Sequence, residues 1–74
     1  MQALIMLKNE KSIRVLNLSK VVAHKGIHSD RREFKKEDLN DFRIGNVAYS
    51  FIGDNIVAVE GSDILYVDFD VTED

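Results

Sequence analysis

Residues 53–60 read Gly-Asp-Asn-Ile-Val-Ala-Val-Glu, and residues 61–68 repeat the pattern as Gly-Ser-Asp-Ile-Leu-Tyr-Val-Asp. Each copy is a polar turn followed by residues of high strand propensity. Turn signals eight residues apart, with β-branched residues between them, are typical of an antiparallel meander. Together with the apolar stretch that precedes the first copy, the pattern predicts three consecutive strands at about residues 46–52, 56–60 and 64–71.

The two loops of this meander predict its register. A loop over residues 53–55 sets Ile52 opposite Ile56, and a loop over residues 61–63 sets Val59 opposite Leu65. One face of the predicted sheet is then apolar throughout, and we expect it to face the core. That face comprises Val47, Tyr49, Phe51, Val57, Val59, Leu65, Val67, Phe69 and Val71. The opposite, mixed face comprises Ala48, Ser50, Ile52, Ile56, Ala58, Glu60, Ile64, Tyr66, Asp68 and Asp70.

A second hairpin is predicted at the N-terminal end, where apolar residues 3–8 and 13–18 flank a polar turn at residues 9–12. We expect Ile5, Leu7, Leu16 and Leu18 on one face and Leu4, Met6, Ile13 and Val15 on the other. Strands that are apolar on both faces are covered on both faces, by another layer or by a second subunit. Residues 21–23 either extend the second strand or form a short third one.

The polar middle of the chain predicts less regular structure. A helix from Arg31 to Phe42 would put two arginines in its first turn and two aspartates in its last, which opposes the helix dipole. We therefore predict an extended or irregular stretch to about Lys35. One or two helical turns follow over residues 36–42, with Leu39 and Phe42 facing the core.

These elements predict a mainly β single domain spanning residues 1–74. We expect a small antiparallel barrel or sandwich of five to six strands with a C-terminal three-strand meander and one short helix; an α+β fold is the alternative. The rhythm of strands and one helical turn is similar to that of small SH3-like barrels, a likeness of fold that implies no function. Neither a disulfide framework nor a cysteine zinc site supports the core, because the chain has no Cys.

Charge is divided along the chain, although the net charge is only −3. Residues 1–36 hold nine Lys or Arg against three acids, and residues 37–74 hold one against ten.

The apolar run after Gln2 is five residues long, too short for a secretory or membrane-spanning segment. We therefore expect a cytoplasmic protein that has no membrane partner.

No catalytic motif is present, and we expect neither an enzyme nor a small-molecule substrate. His24, His28 and Asp30 have metal-ligand chemistry, but neither a Cys nor a third His completes a site, so a polar loop is the preferred interpretation. Asp68 and Asp70 could serve as an acid and base pair about 7 Å apart. A solvated sheet face accounts for them more simply, and we predict no metal and no cofactor.

The first functional hypothesis is a non-catalytic protein-interaction or regulatory module. A Val-, Ile- and Asp-rich chain of this size without Cys, Pro or Trp is also typical of small phage or mobile-element accessory proteins, and we expect this protein to be one of them. Its partner would be another protein or a second copy in a homodimer. The expected surface is an apolar patch rimmed by acids on the mixed face of the meander. It comprises Ile56, Ile64, Tyr66, Glu60, Asp68 and Asp70.

Two alternatives involve nucleic acid. The basic segment from Lys20 to Lys36 could follow a phosphate backbone, with one aromatic residue for base stacking. The residues expected to bind are Lys25, Arg31, Arg32, Phe34, Lys35 and Lys36. Conversely, carboxylates at alternate strand positions repeat at about 6.5 to 7 Å and could mimic nucleic acid to inhibit a DNA- or RNA-binding partner. The residues concerned are Glu60, Asp68, Asp70, Glu73 and Asp74.

Overall fold

The computed structural model describes residues 1–25 and 30–72, with Asp30 described by its backbone alone. The fold is mainly β, as predicted, and the described chain forms seven strands rather than five or six. They are β1 (Gln2–Leu7), β2 (Ser12–Val15), β3 (Lys20–Lys25), β4 (Asp30–Phe34), β5 (Ala48–Ile52), β6 (Ile56–Glu60) and β7 (Ile64–Asp70). Two 3₁₀ turns, Lys36–Asp41 and Gly61–Asp63, precede β5 and β7 respectively.

The strands form two antiparallel sheets. Sheet A has the order β2-β1-β7, and sheet B has the order β4-β3-β5-β6. Both sheets contribute to one hydrophobic core, in which Ile5 and Val15 of sheet A and Val21 and Phe51 of sheet B are fully buried. Of the two predicted architectures, the described residues therefore form two sheets around a shared core and not a closed barrel.

The N-terminal hairpin forms as predicted, but its faces differ from the prediction. Ile5 pairs with Ile13, so the inward side chains of β2 are Ile13 and Val15, on the same face as Ile5. The outward side chains of β2 are Ser12 and Arg14, which are exposed. Of the two strands of this hairpin, β1 alone is therefore apolar on both faces, because Leu4 and Met6 point away from the core.

The first hairpin of the meander has the predicted register. Ile52 pairs with Ile56, Phe51 with Val57, and Tyr49 with Val59. Tyr49 and Phe51 are buried, and the valines of β6 are half-buried. Loop length and alternation agree here, so the local sequence determines the pairing.

The second hairpin of the meander was predicted wrongly, because β7 leaves β6 and pairs with β1 in the other sheet. Residues Gly61–Asp63 form a 3₁₀ turn instead of a hairpin loop. The backbone N–H of Gly61 donates to the carbonyl of Val47, at 2.7 Å, which holds this turn against the chain that enters β5. β7 then crosses to sheet A, where Val67 pairs with Ile5.

A β-bulge in β7 reverses the predicted faces at its start. Met6 pairs with Tyr66 and Leu7 pairs with Ile64, so Leu65 is an extra residue without a partner in β1. Ile64 is consequently buried at 3% exposure, while Leu65 is 59% exposed. Beyond the bulge, Val67 and Phe69 pack against the core as predicted.

The polar middle follows the sequence prediction in outline. Residues 20–25 form a separate strand, and the extended stretch before Lys35 is strand β4, which the sequence did not reveal. The 3₁₀ turn Lys36–Asp41 lies within the predicted helical residues, and Phe42, which follows it directly, is buried in the core. The Phe42 ring lies 5.2 Å from that of Phe34 and 5.3 Å from that of Phe69, measured between centroids, and so joins the two sheets.

Candidate functional site

The predicted partner-binding residues do not form one patch. Ile64 is buried at the start of β7, because the bulge at Leu65 turns its side chain toward the core. Ile56 and Glu60 lie on β6 in sheet B, whereas Tyr66 lies on β7 in sheet A together with the two aspartates that follow it. The prediction was wrong as a single surface because it assumed that β6 and β7 are neighbours.

The β7 members of that prediction instead share the outer face of sheet A with β1. Tyr66 pairs with Met6, Asp68 with Leu4, and Asp70 with Gln2. Tyr66 is 47% exposed, and the side chains of Leu4 and Met6 are half-buried. We call this surface the Tyr66 face, defined by Leu4, Met6, Tyr66, Asp68 and Asp70.

A row of polar side chains crosses one end of the Tyr66 face. Arg14 Nη1 donates to Gln2 Oε1 at 2.9 Å, and Gln2 Nε2 donates to Asp70 Oδ2 at 3.3 Å. The hydroxyl and the backbone N–H of Thr72 both donate to Asp70 Oδ1 and hold the pKa of Asp70 below its ordinary value. A lowered pKa favours the ionised carboxylate, which does not suit the general acid of a carboxylate pair.

The predicted nucleic-acid residues are divided between the two faces of the β3–β4 hairpin. Arg31 lies on the outer face, where it and Lys20 form ion pairs with Glu33 at 3.1 and 3.2 Å. These two cations are the main hydrogen-bond donors that lower the pKa of Glu33. Arg32 pairs with Ala23 on the opposite, inward face, so the basic segment does not present one continuous row of charge.

The inward face of sheet B opens into a groove at the end that sheet A does not cover. Its volume is about 280 Å³. The residues that line it are Ala23, Lys25, Arg32, Phe34, Asp41, Arg43, Ile44, Gly45, Val47 and Tyr49. We call it the Arg32 groove. It brings together three of the six predicted nucleic-acid residues, Lys25, Arg32 and Phe34, while Lys35 and Lys36 follow Phe34 in the chain.

The floor of the Arg32 groove is aromatic and its edge is cationic. The Arg32 guanidinium carbon lies 4.5 Å from the centroid of the Phe34 ring, a cation–π geometry. Phe34 and Tyr49 are buried, whereas Lys25, Arg32 and Arg43 are exposed. Among the described residues, the groove therefore combines buried aromatic rings with three positive charges and one carboxylate, that of Asp41.

Tyr49 and Arg43 form part of one wall of the Arg32 groove, and the sequence did not predict either residue as part of a site. The Tyr49 hydroxyl donates to the carbonyl of Arg43 at 2.9 Å and accepts from the N–H of Gly45 at 2.7 Å. Arg43 Nη1 donates to the carbonyls of Asn40 and Phe42 and so closes the end of the 3₁₀ turn. A tyrosine and an arginine six residues apart carry no local signal, because it is the turn and β5 that bring them together.

The histidine cluster is only partly described. The Nε2 of His24 lies 3.0 Å from the hydroxyl of Ser50, at hydrogen-bond distance, on the outer face of sheet B. His28 and the side chain of Asp30 lie outside the described residues, as do Glu73 and Asp74. Across residues 1–25 and 30–72 there is no group of three or more His, Cys, Asp or Glu that could hold a metal ion.

Comparison with protein-family models, with curated proteins and with solved structures finds nothing that matches this chain. Among the described residues, no helix has the length and apolar character needed to cross a membrane. Two surfaces of the described residues, the Tyr66 face and the Arg32 groove, are the candidate binding sites.

Proposed function

We propose that this protein is a non-catalytic protein-interaction module that binds a partner through the Tyr66 face. The observation that supports this proposal is a half-exposed tyrosine directly beside Met6, on the sheet face that does not contribute to the core. Tyrosine is enriched among the residues that dominate binding energy, and an acidic rim selects for the opposite charge. The partner surface is accordingly apolar at its centre and basic at its rim.

The Tyr66 face is too small to form a standard stable interface by itself. Three strands about 4.8 Å apart and about six residues long at 3.3 Å per residue give a face of roughly 300 Å². A standard stable interface buries about 800 Å² per partner, so two such faces packed together would bury too little. A partner that also contacts the unpaired edge of β7, next to the exposed Leu65, would bury more.

The finer functional predictions belong to the same proposal. A regulatory role, an origin among phage or mobile-element accessory proteins, and action in the cytoplasm are inferences from a short chain without Cys. The likeness to SH3-like barrels concerns only the rhythm of strands and one helical turn and carries no function with it. Nucleic-acid mimicry has less support, because Glu60 lies in a different sheet from Asp68 and Asp70 and does not extend their row.

The test is affinity capture from an extract of the native cell, treated with nuclease so that nucleic acid cannot bridge proteins. We compare the wild type with Tyr66→Asp and with Ile56→Asp, a matched change at an apolar residue that is 70% exposed on the other sheet. The proposal predicts that Tyr66→Asp loses the captured protein and that Ile56→Asp retains it. Equal melting temperatures of the two variants would show that both remain folded.

Two results would refute the proposal. Capture that survives Tyr66→Asp, or that both variants lose equally, would show that the Tyr66 face is not the binding surface. Light scattering on the purified chain tests the choice of partner. A wild-type dimer that Tyr66→Asp converts to a monomer would show that the face binds a second copy and not a different protein.

A further inference from the structure

The guanidinium of Arg32 offers the Arg32 groove a planar cationic group on which a base can stack. The Arg32 guanidinium lies over the Phe34 ring, and Arg32 is exposed and lines the groove, so a ligand in the groove can reach it. Guanidinium planes stack on nucleic-acid bases, and base stacking of this kind does not depend on sequence. Phe34 itself is only 5% exposed, so Arg32, and not the phenylalanine predicted from the sequence, offers the stacking surface.

The charges at the groove are suited to phosphate. Among the described residues that line the groove, Lys25, Arg32 and Arg43 stand against one carboxylate, that of Asp41. The ion pairs of Glu33 lie on the outer face of sheet B and involve none of these three cations. A ligand that carries both an aromatic base and a phosphate would therefore satisfy both parts of the groove.

We propose that the Arg32 groove binds single-stranded nucleic acid, with a base stacked on Arg32 and the adjoining phosphates contacted by Lys25 and Arg43. The volume of about 280 Å³ is close to the lower end of small-ligand sites and suits about one nucleotide. Lys35 follows Phe34 directly in the chain and is exposed, so a strand longer than one nucleotide would find a further cation next to the groove. A duplex is excluded as the ligand because its bases are stacked on one another and cannot reach Arg32.

The test is fluorescence anisotropy of a labelled oligothymidylate of about 15 nucleotides, measured over a range of salt concentrations. Two phosphate contacts, those of Lys25 and Arg43, predict that log affinity falls with log salt at a slope of about −1.4. Arg32→Ala is expected to weaken binding about tenfold or more, since it removes both the charge and the stacking plane. Arg32→Lys keeps the charge, so it should retain the salt slope of the wild type and still lose affinity.

Arg14→Ala is the matched control, because it removes one exposed arginine from the opposite sheet and leaves the groove intact. Its affinity should stay within about twofold of the wild type. The proposal is refuted if the wild type does not bind at low salt, or if Arg14→Ala and Arg32→Ala lose affinity equally. Thymidine monophosphate binding as tightly as the oligonucleotide would also refute it and would identify a free nucleotide as the ligand. Because Tyr66→Asp leaves the groove unchanged, failure of this proposal and failure of protein binding are separable.

Discussion

Replacing Gly61 by alanine is expected to destabilise the fold by about 2 to 4 kcal/mol. Gly61 begins the 3₁₀ turn at which the chain leaves sheet B for sheet A, and it is buried. A Cβ atom added there would lie 1.9 Å from the carbonyl oxygen of Gly45 and 2.8 Å from that of Val47. Both neighbours are backbone atoms, so no side-chain rotation relieves the clash.

The magnitude follows from these distances. The closest approach is about 1.5 Å shorter than ordinary van der Waals contact, so the turn must move away from the residues that precede β5. Overpacking of this kind typically costs about 1 to 3 kcal/mol. The same movement weakens the hydrogen bond from the Gly61 N–H to Val47, which contributes about 1 kcal/mol more.

Urea denaturation of both proteins gives the difference in the free energy of unfolding. In a domain of this size each 1 kcal/mol lowers the melting temperature by about 4 to 8 °C, so thermal unfolding provides a second measurement. Gly45→Ala is the control, because a Cβ atom there would meet only the Tyr49 hydroxyl, at 3.8 Å. The reasoning is refuted if Gly61→Ala unfolds within 0.5 kcal/mol of the wild type, or if Gly45→Ala is equally destabilising.

Further predictions concern hydrogen bonding, packing and pH. Tyr49→Phe removes the hydroxyl that links Arg43 and Gly45 and should cost about 1 to 2 kcal/mol in urea denaturation; an unchanged midpoint would show that this link adds nothing. Gly53→Ala should destabilise the fold as Gly61→Ala does, since its Cβ atom would lie 2.5 Å from the carbonyl oxygen of Leu16. A neutral result would contradict this close approach of the β5–β6 loop to the chain that follows β2. Glu33 has a pKa lowered by its two cationic neighbours, so its ion pairs stabilise the fold above its ordinary pKa of 4.5 and lose that effect as the pH falls through the lowered value. Glu33→Gln should therefore unfold more easily than the wild type at pH 7 but not at pH 2; a difference that persists at pH 2 would have another cause.

Local patterns predicted the parts of the fold that local interactions determine. The pairing of β5 with β6 follows from one loop and two alternating stretches, and a one-residue slip would put Val57 and Val59 on the face opposite to Tyr49 and Phe51. The rejection of a helix from Arg31 to Phe42 followed from the unfavourable order of charges along it. The described structure has a strand and a short 3₁₀ turn there.

The path of β7 was not predictable in the same way. Its alternation fits either sheet, so the sequence does not distinguish a hairpin with β6 from a crossover to β1. The choice depends on contacts between residues distant in sequence. These are the pairing of β7 with the edge of β1 that β2 leaves free, and the packing of Gly61 against Val47. The bulge at Leu65 is also invisible to alternation, because it arises only when β7 meets β1.

The candidate sites were predicted to the extent that their residues are neighbours in sequence. Lys25, Arg32 and Phe34 belong to one hairpin and do line one groove. Arg43 and Tyr49 come from later elements, and only the fold brings them to the same wall. The predicted apolar patch was wrong for the opposite reason, because Ile56 and Tyr66 are close in sequence but lie on different sheets.

The Tyr66 face requires that β7 pairs with β1, since this pairing sets Tyr66 beside Met6 on the outer face of sheet A. The most direct test is nuclear Overhauser spectroscopy of backbone protons across the strands. The structure predicts cross-strand contacts between Ile5 and Val67 and between Ala3 and Phe69. Backbone contacts of β7 with β6, such as Val59 with Leu65, would instead establish the continuous meander and contradict the account.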